Sequence, residues 1–121
     1  NTTGMHVNDG SGLSRMNAIS AAHFVGLLKG MSNGKNGSRF ISSLPVAGIS
    51  GTMRNICKGQ SAHNRLIAKS GSMTRIKSYA GYINSTSGKK YAFALIVNNQ
   101  DCSSSALIRK MEVVFNKIAT L

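Results

Sequence analysis

The sequence has no tryptophan, one proline, two cysteines and three acidic residues in 121 positions. Each shortage excludes something. Cys57 and Cys102 are too few for a disulfide framework and form no C-x-x-C pair. At this spacing they read as buried thiols, free to bridge only in an oxidising compartment. His6, His23 and His63 stand far apart, without an H-E-x-x-H pattern, so no zinc site is expected. No stretch reaches the roughly 20 apolar residues of a membrane helix. Collagen and coiled-coil architectures are likewise excluded. The chain opens at Asn1 with neither an initiator Met nor a basic-then-apolar leader, so any targeting segment is expected to have been removed or to belong to a longer parent.

What is present is positive charge. Fifteen Lys and Arg face Asp9, Asp101 and Glu112, for a formal net charge of +12. Between Gly10 and Gln100 there are 12 basic residues and no acid. Such a field attracts polyanions, carboxylates or acidic lipid surfaces. Nucleic acid is the first partner to weigh, but the cations are scattered singly or in pairs. The seven aromatics (four Phe, three Tyr) do not interleave with them as a base-stacking sheet requires. The plainer reading is a basic domain in an anionic environment, or one half of a protein whose other half is acidic. Apolar residues make up 41%, enough for one domain with a small core. Ser, Gly and Asn contribute 17, 13 and 11 residues, so loops are plentiful.

Coarse periodicity orders the chain. Residues 1–17 read as a Gly-rich polar segment with a tight loop over Asn8–Arg15. Ser20 caps a helix over about 21–31, with Phe24, Leu27, Leu28 and Met31 at helical spacing. Residues 33–52 read as a long connection containing a buried stretch, 44–49. A short helical turn is expected within 52–58. Three strands follow, over 65–69, 77–84 and 91–97. The third is apolar on both faces, which marks a covered, central strand. Residues 84–89 join the last two strands as a hairpin. Ser103, Ser104 or Ser105 caps a final helix carrying Leu107, Ile108, Met111, Val114, Phe115, Ile118 and Leu121. The fold class is therefore α+β: an antiparallel three-stranded sheet with an N-terminal helix and a long C-terminal helix packed on it. A sheet that ends on a wholly apolar strand leaves an exposed pairing edge, so it reads as part of a larger sheet.

Lys69-Ser70-Gly71 closes the first strand. Chemically this suits an active-site serine acylase: a fixed positive charge for a substrate carboxylate, a hydroxyl on the same carboxylate, and a glycine that lets a substrate backbone approach the strand edge. Alone it is weak, because a strand-ending turn is the better explanation of an isolated K-S-G. Two S-x-x-K matches, Ser32…Lys35 and Ser87…Lys90, have Gly just before or between and fall in expected loops, so both are rejected as nucleophile sites. S-x-N, G-x-S-x-G, G-x-G-x-x-G and P-loop patterns are absent. Asn1-Thr2-Thr3, Asn36-Gly37-Ser38 and Asn84-Ser85-Thr86 match the glycosylation pattern and carry little weight in so Asn- and Ser-rich a chain.

Four blocks together carry more. Asp9-Gly10-Ser11-Gly12-Leu13-Ser14-Arg15, Leu44-Pro45-Val46-Ala47-Gly48-Ile49-Ser50-Gly51-Thr52-Met53-Arg54, Ala68-Lys69-Ser70-Gly71-Ser72-Met73 and Ala80-Gly81-Tyr82-Ile83 occur in this order. In order and spacing they resemble the class C low-molecular-mass penicillin-binding proteins, serine-type D-alanyl-D-alanine carboxypeptidase/endopeptidases. The resemblance covers essentially the whole chain but only the C-terminal third of such an enzyme. It implies a five-stranded transpeptidase-like sheet of which this chain holds three strands. It implies that Lys69, Ser70 and Gly71 are the third motif of the active site, and that the Ser72 N–H completes an oxyanion hole. It implies that Leu13, Arg15 and Met73 shape the pocket for a stem-peptide side chain. On residue type alone, Arg15 reads equally as a solvated charge, and Leu13 and Met73 as plain core.

By the same resemblance the parent acts on bacterial peptidoglycan peptides through an acyl-serine intermediate, without a metal or cofactor. It binds β-lactams and works outside the cytoplasmic membrane, in a periplasmic or other extracytoplasmic setting. The nucleophilic Ser, its Lys and the S-x-N element are expected upstream of Asn1, leaving the isolated chain inactive. Its partners are then the missing N-terminal part or a second copy through the open sheet edge. The alternatives are a non-catalytic peptidoglycan-peptide binding module and a basic nucleic-acid-binding domain.

Overall fold

Ser20 starts the first helix by a reciprocal cap. Its hydroxyl accepts the His23 N–H at 3.2 Å, while its own N–H donates to His23 Nδ1 at 3.3 Å. Helix α1 (Ala21–Asn33) follows in a computed structural model that describes residues 2–121. Asn1, and with it the first glycosylation match, lies outside the described residues. α1 buries Leu28 and half-buries Phe24 and Met31, but Leu27 is 60% exposed, so the apolar stripe is narrower than its spacing suggests. The connection read as irregular contains a short helix, α2 (Gly37–Ser42). It starts where a side chain could not: a Cβ on Gly37 would meet the Met31 carbonyl oxygen at 2.8 Å.

Three antiparallel strands form the sheet in the order β1 (Leu66–Met73), β2 (Ile76–Asn84), β3 (Lys90–Val97). β1 is longer than its apolar run predicts, because β2 keeps pairing with it through Met73↔Ile76. The expected hairpin is present: Ser85 takes the Lys89 N–H on its hydroxyl and gives its own N–H to the Lys89 carbonyl. Helix α3 (Ser104–Ala119) is capped by Ser103, whose hydroxyl accepts the Ala106 N–H. The sheet lies between α1 on one face and α3 on the other. On the α3 side Leu107, Met111, Phe115 and Ala119 pack with Leu66, Ala68, Tyr79, Ile83 and Phe93. Phe115 meets Tyr79 edge-on and Phe93 at a tilt, both with ring centroids at 5.4 Å. Val114 and Leu121, counted in the stripe, are instead exposed. On the α1 side the buried Tyr82 hydroxyl donates to the Leu28 carbonyl at 2.7 Å.

β3 is covered on both faces, as its composition requires, but it is not central. It forms an edge of the described sheet, and β2 is the middle strand. The opposite edge, along β1, is partly closed by the stretch after Leu44. The Pro45 carbonyl accepts the Ala68 N–H at 3.0 Å, and the Ala47 N–H donates to the Leu66 carbonyl at 2.8 Å. The stretch then turns away at Gly48 (φ +75°) into a single 3₁₀ turn, Gly51–Met53, anchored by the fully buried Met53. The following irregular segment hangs from the polar face of α3. Glu112 Oε1 accepts the Cys57 N–H at 2.6 Å, and Asn116 Oδ1 accepts the Ala62 N–H at 2.9 Å. Cys57 and Cys102 are both free thiols; burial, reinforced by the Glu112 charge, pushes the Cys57 thiol up to about 12.

Candidate functional site

Strand alternation sets the chemistry of the β1 edge. In an antiparallel ladder each residue turns its N–H and C=O to the same side, and successive residues turn opposite ways. Leu66 and Ala68 face outward to the 45–47 stretch, so Ser70 and Ser72 face outward as well. That stretch has turned away before it reaches them. Among the described residues, the main-chain N–H groups of Ser70 and Ser72 take no partner from a neighbouring strand. The edge is therefore closed up to Ala68 and open from Ser70 onward.

Lys69 and Ser70 converge on the start of this open edge. Lys69 Nζ folds back and donates to the Ser70 carbonyl at 2.7 Å. The Ser70 hydroxyl donates to Thr52 Oγ1 at 2.9 Å. Beside them runs a groove of about 530 Å³ whose walls include Lys69, Ser70, Gly71, Ser72, Leu13 and Met73. Six of the seven residues singled out in the sequence thus share one groove. Arg15, the seventh, lies in an adjoining hollow of about 380 Å³ and meets the groove through the shared walls Met73 and Ile76. Leu13 is 73% exposed, which removes the plain-core reading for it. Gly71 has a local cause beyond ligand access: a Cβ there would lie 2.5 Å from Ser78 Oγ, directly across the ladder.

Leu13 reaches the groove from a loop built around one carboxylate. Asp9 Oδ1 accepts the Gly12 N–H at 3.2 Å and Asn17 Nδ2 at 2.9 Å, and Oδ2 accepts the Ser11 hydroxyl at 2.8 Å. Asn17 Oδ1 in turn accepts the Asn8 and Asp9 N–H groups. The His6–Ala18 bridge closes the base of the loop. The hydrogen bonds, that from Asn17 foremost and that from Ser11 next, hold the Asp9 carboxyl below its usual value. Sequence reasoning quoted this block without giving Asp9 or Asn17 a task. The Asp-x-Ser-Gly spacing was the available signal, since Asp readily bonds backbone two and three residues on. Thr52 was also missed, and no sequence signal links it to a residue 18 positions away.

This fold has counterparts among known proteins, and they supply the family. The profile of the D-Ala-D-Ala carboxypeptidase 3 (S13) family matches residues 1–118, and the chain belongs to that family. Among curated relatives, the D-alanyl-D-alanine carboxypeptidase of Actinomadura sp. (strain R39) is 38% identical over 103 residues, covering 81% of this chain and 19% of that protein. Carboxypeptidase DacB of Mycolicibacterium smegmatis is 35% identical over 105 residues, 81% of this chain and 23% of that one. Among solved structures, penicillin binding protein 4 (dacB) from Haemophilus influenzae superposes with a TM-score of 0.87 at 22% identity, over 97% of this chain and 28% of that one. The same fold appears, at a TM-score of 0.67 and 22% identity, in a predatory endopeptidase from Bdellovibrio bacteriovorus in complex with an immunity protein. The chain spans about a fifth of the length of the curated relatives it matches.

Proposed function

We propose that this chain supplies the strand-edge wall of a serine-type D-Ala-D-Ala carboxypeptidase/endopeptidase acting on peptidoglycan stem peptides. The observation that carries the reading is the coincidence of the open β1 edge with the Lys69-Ser70-Gly71-Ser72 run. A peptide ending in D-Ala-D-Ala lies along this edge. Its terminal carboxylate meets the Lys69 ammonium and the Ser70 hydroxyl, a charge-assisted arrangement stronger than a neutral hydrogen bond. The Ser72 N–H, turned outward, donates to the carbonyl oxygen of the scissile bond as negative charge develops there. Leu13 and Met73 receive the stem-peptide side chain, and Arg15 meets a carboxylate at its far end.

In this reading the nucleophilic serine, its lysine and the S-x-N element belong to chain outside these 121 residues, which form the C-terminal part of the catalytic domain. The serine oxygen attacks the penultimate carbonyl, the C–N bond breaks, and D-Ala leaves with a proton on its nitrogen. Water then releases the acyl group. The isolated chain binds without turning over, and β-lactams acylate only the longer protein. No metal or cofactor takes part. The site faces the extracytoplasmic wall, whose anionic polymers suit a charge of +12. The names of the relatives and the family match support this reading.

The test is binding of an N-acylated peptide ending in D-Ala-D-Ala, followed by titration calorimetry. Lys69→Ala is expected to weaken it roughly tenfold or more, the scale of a lost charge-assisted contact. Equal affinity of wild type and Lys69→Ala would remove the proposed carboxylate site.

A further inference from the structure

We propose that Thr52 is a positioning residue for the carboxylate-binding hydroxyl of Ser70; this rests on the peptidase reading above. Ser70 is the first residue of the open edge, and two groups already act on it. Lys69 Nζ holds its carbonyl at 2.7 Å, and Thr52 Oγ1 holds its hydroxyl at 2.9 Å. A serine side chain at a strand edge has three staggered rotamers, and only one aims its oxygen at a given ligand. The contact with Thr52 selects one of them. A hydroxyl can donate once and accept twice, and its hydrogen turns freely. When Ser70 gives its proton to a carboxylate, Thr52 can turn its own hydrogen toward Ser70 Oγ. The pair then stays bonded while the ligand is held.

The backbone places Thr52 for this task. The stretch before it is fixed to β1 through the Pro45 carbonyl and the Ala68 N–H. The turn at Gly51 (φ +51°) folds against Pro45, where a Cβ would come within 3.2 Å of the ring. The Gly48 N–H donates to the Met53 carbonyl at 3.0 Å, and Met53 is fully buried. Thr52 itself is exposed, so the anchoring comes from its neighbours and its side chain is spent on Ser70. One segment therefore closes the strand edge up to Ala68 and plants a hydroxyl on the next outward residue.

The experiment compares binding of an N-acylated D-Ala-D-Ala peptide with that of its C-terminal amide, in wild type, Thr52→Val, Thr52→Ala and Thr52→Ser. Wild type should prefer the acid. Thr52→Val and Thr52→Ala should lose roughly two- to tenfold of that preference, the worth of one hydrogen bond, while the thermal midpoint stays unchanged. Thr52→Ser should keep it. A wild-type protein that does not distinguish acid from amide overturns the carboxylate site itself and this proposal with it. A wild-type preference retained in full by both Thr52→Val and Thr52→Ala overturns the role of Thr52 alone.

Discussion

Gly71 and Asp9 show how single residues shape this groove through the protein's own contacts. Gly71 lies opposite Ser78, and a methyl group there would sit 2.5 Å from the Ser78 hydroxyl, although Ser78 Cβ stands clear at 3.9 Å. Gly71→Ala is therefore expected to destabilise the chain by about 1 kcal/mol, the low end of overpacking costs. Adding Ser78→Ala should restore the midpoint of urea unfolding; a double variant no better than the single would place the strain elsewhere. Asp9 works through charge. Its folded-state value lies below 3.8, so its contribution to loop order is fully present above that pH and is lost as the pH falls through the lower folded value. The amide signals of Gly12 and Leu13 should hold their positions from neutral pH down to about 5 and collapse toward random-coil values only in stronger acid. Asp9→Asn should move that collapse away from the acid range.

At the scale of elements, α3 does more than cover the sheet. Its apolar stripe packs on Tyr79 and Phe93, while Glu112 and Asn116, one turn apart, tie down the segment that bears Cys57 and Ala62. Glu112→Ala leaves the Cys57 N–H unpaired in a buried setting, so a loss of about 1–3 kcal/mol is expected in chemical unfolding. The Cys57 thiol should also become reactive toward a maleimide as the segment loosens. A variant with wild-type stability and an inert Cys57 would show that Glu112 is a passive surface group. These elements were unequally legible. The caps at Ser20 and Ser103, the apolar strands and the period of α3 announce themselves locally, because each depends on residues a few positions apart. α2 does not: Gly37 and Ser38 are poor helix formers, and the helix forms where α1 confines the chain, with Gly37 against the Met31 and Ser32 carbonyls. The place of β3 at the sheet edge was hidden for a similar reason, since composition reports coverage of the faces and not the number of neighbours.

At the scale of the whole molecule, the site is a product of topology. The motif run Lys69–Met73 was visible as residues, and its likeness to a peptidase family identified its company. That Ser70 and Ser72 face open edge follows only from where the 45–47 stretch stops pairing, a long-range fact with no local signature. The same holds for the meeting of Leu13 with Met73, which joins the first loop to the end of β1 across the groove. The excess of cations, a formal net charge of +12, adds a field that draws polyanions toward the molecule, and it acts on encounter more than on selectivity. The most direct measurement is a backbone amide NMR titration with an N-acylated D-Ala-D-Ala peptide. The shifts are expected to concentrate at Ser70, Gly71 and Ser72, with weaker effects at Leu13 and Met73, and to shrink when the C-terminal amide replaces the acid. Shifts scattered over the basic surface, with the 70–72 amides unmoved, would contradict a substrate edge at β1.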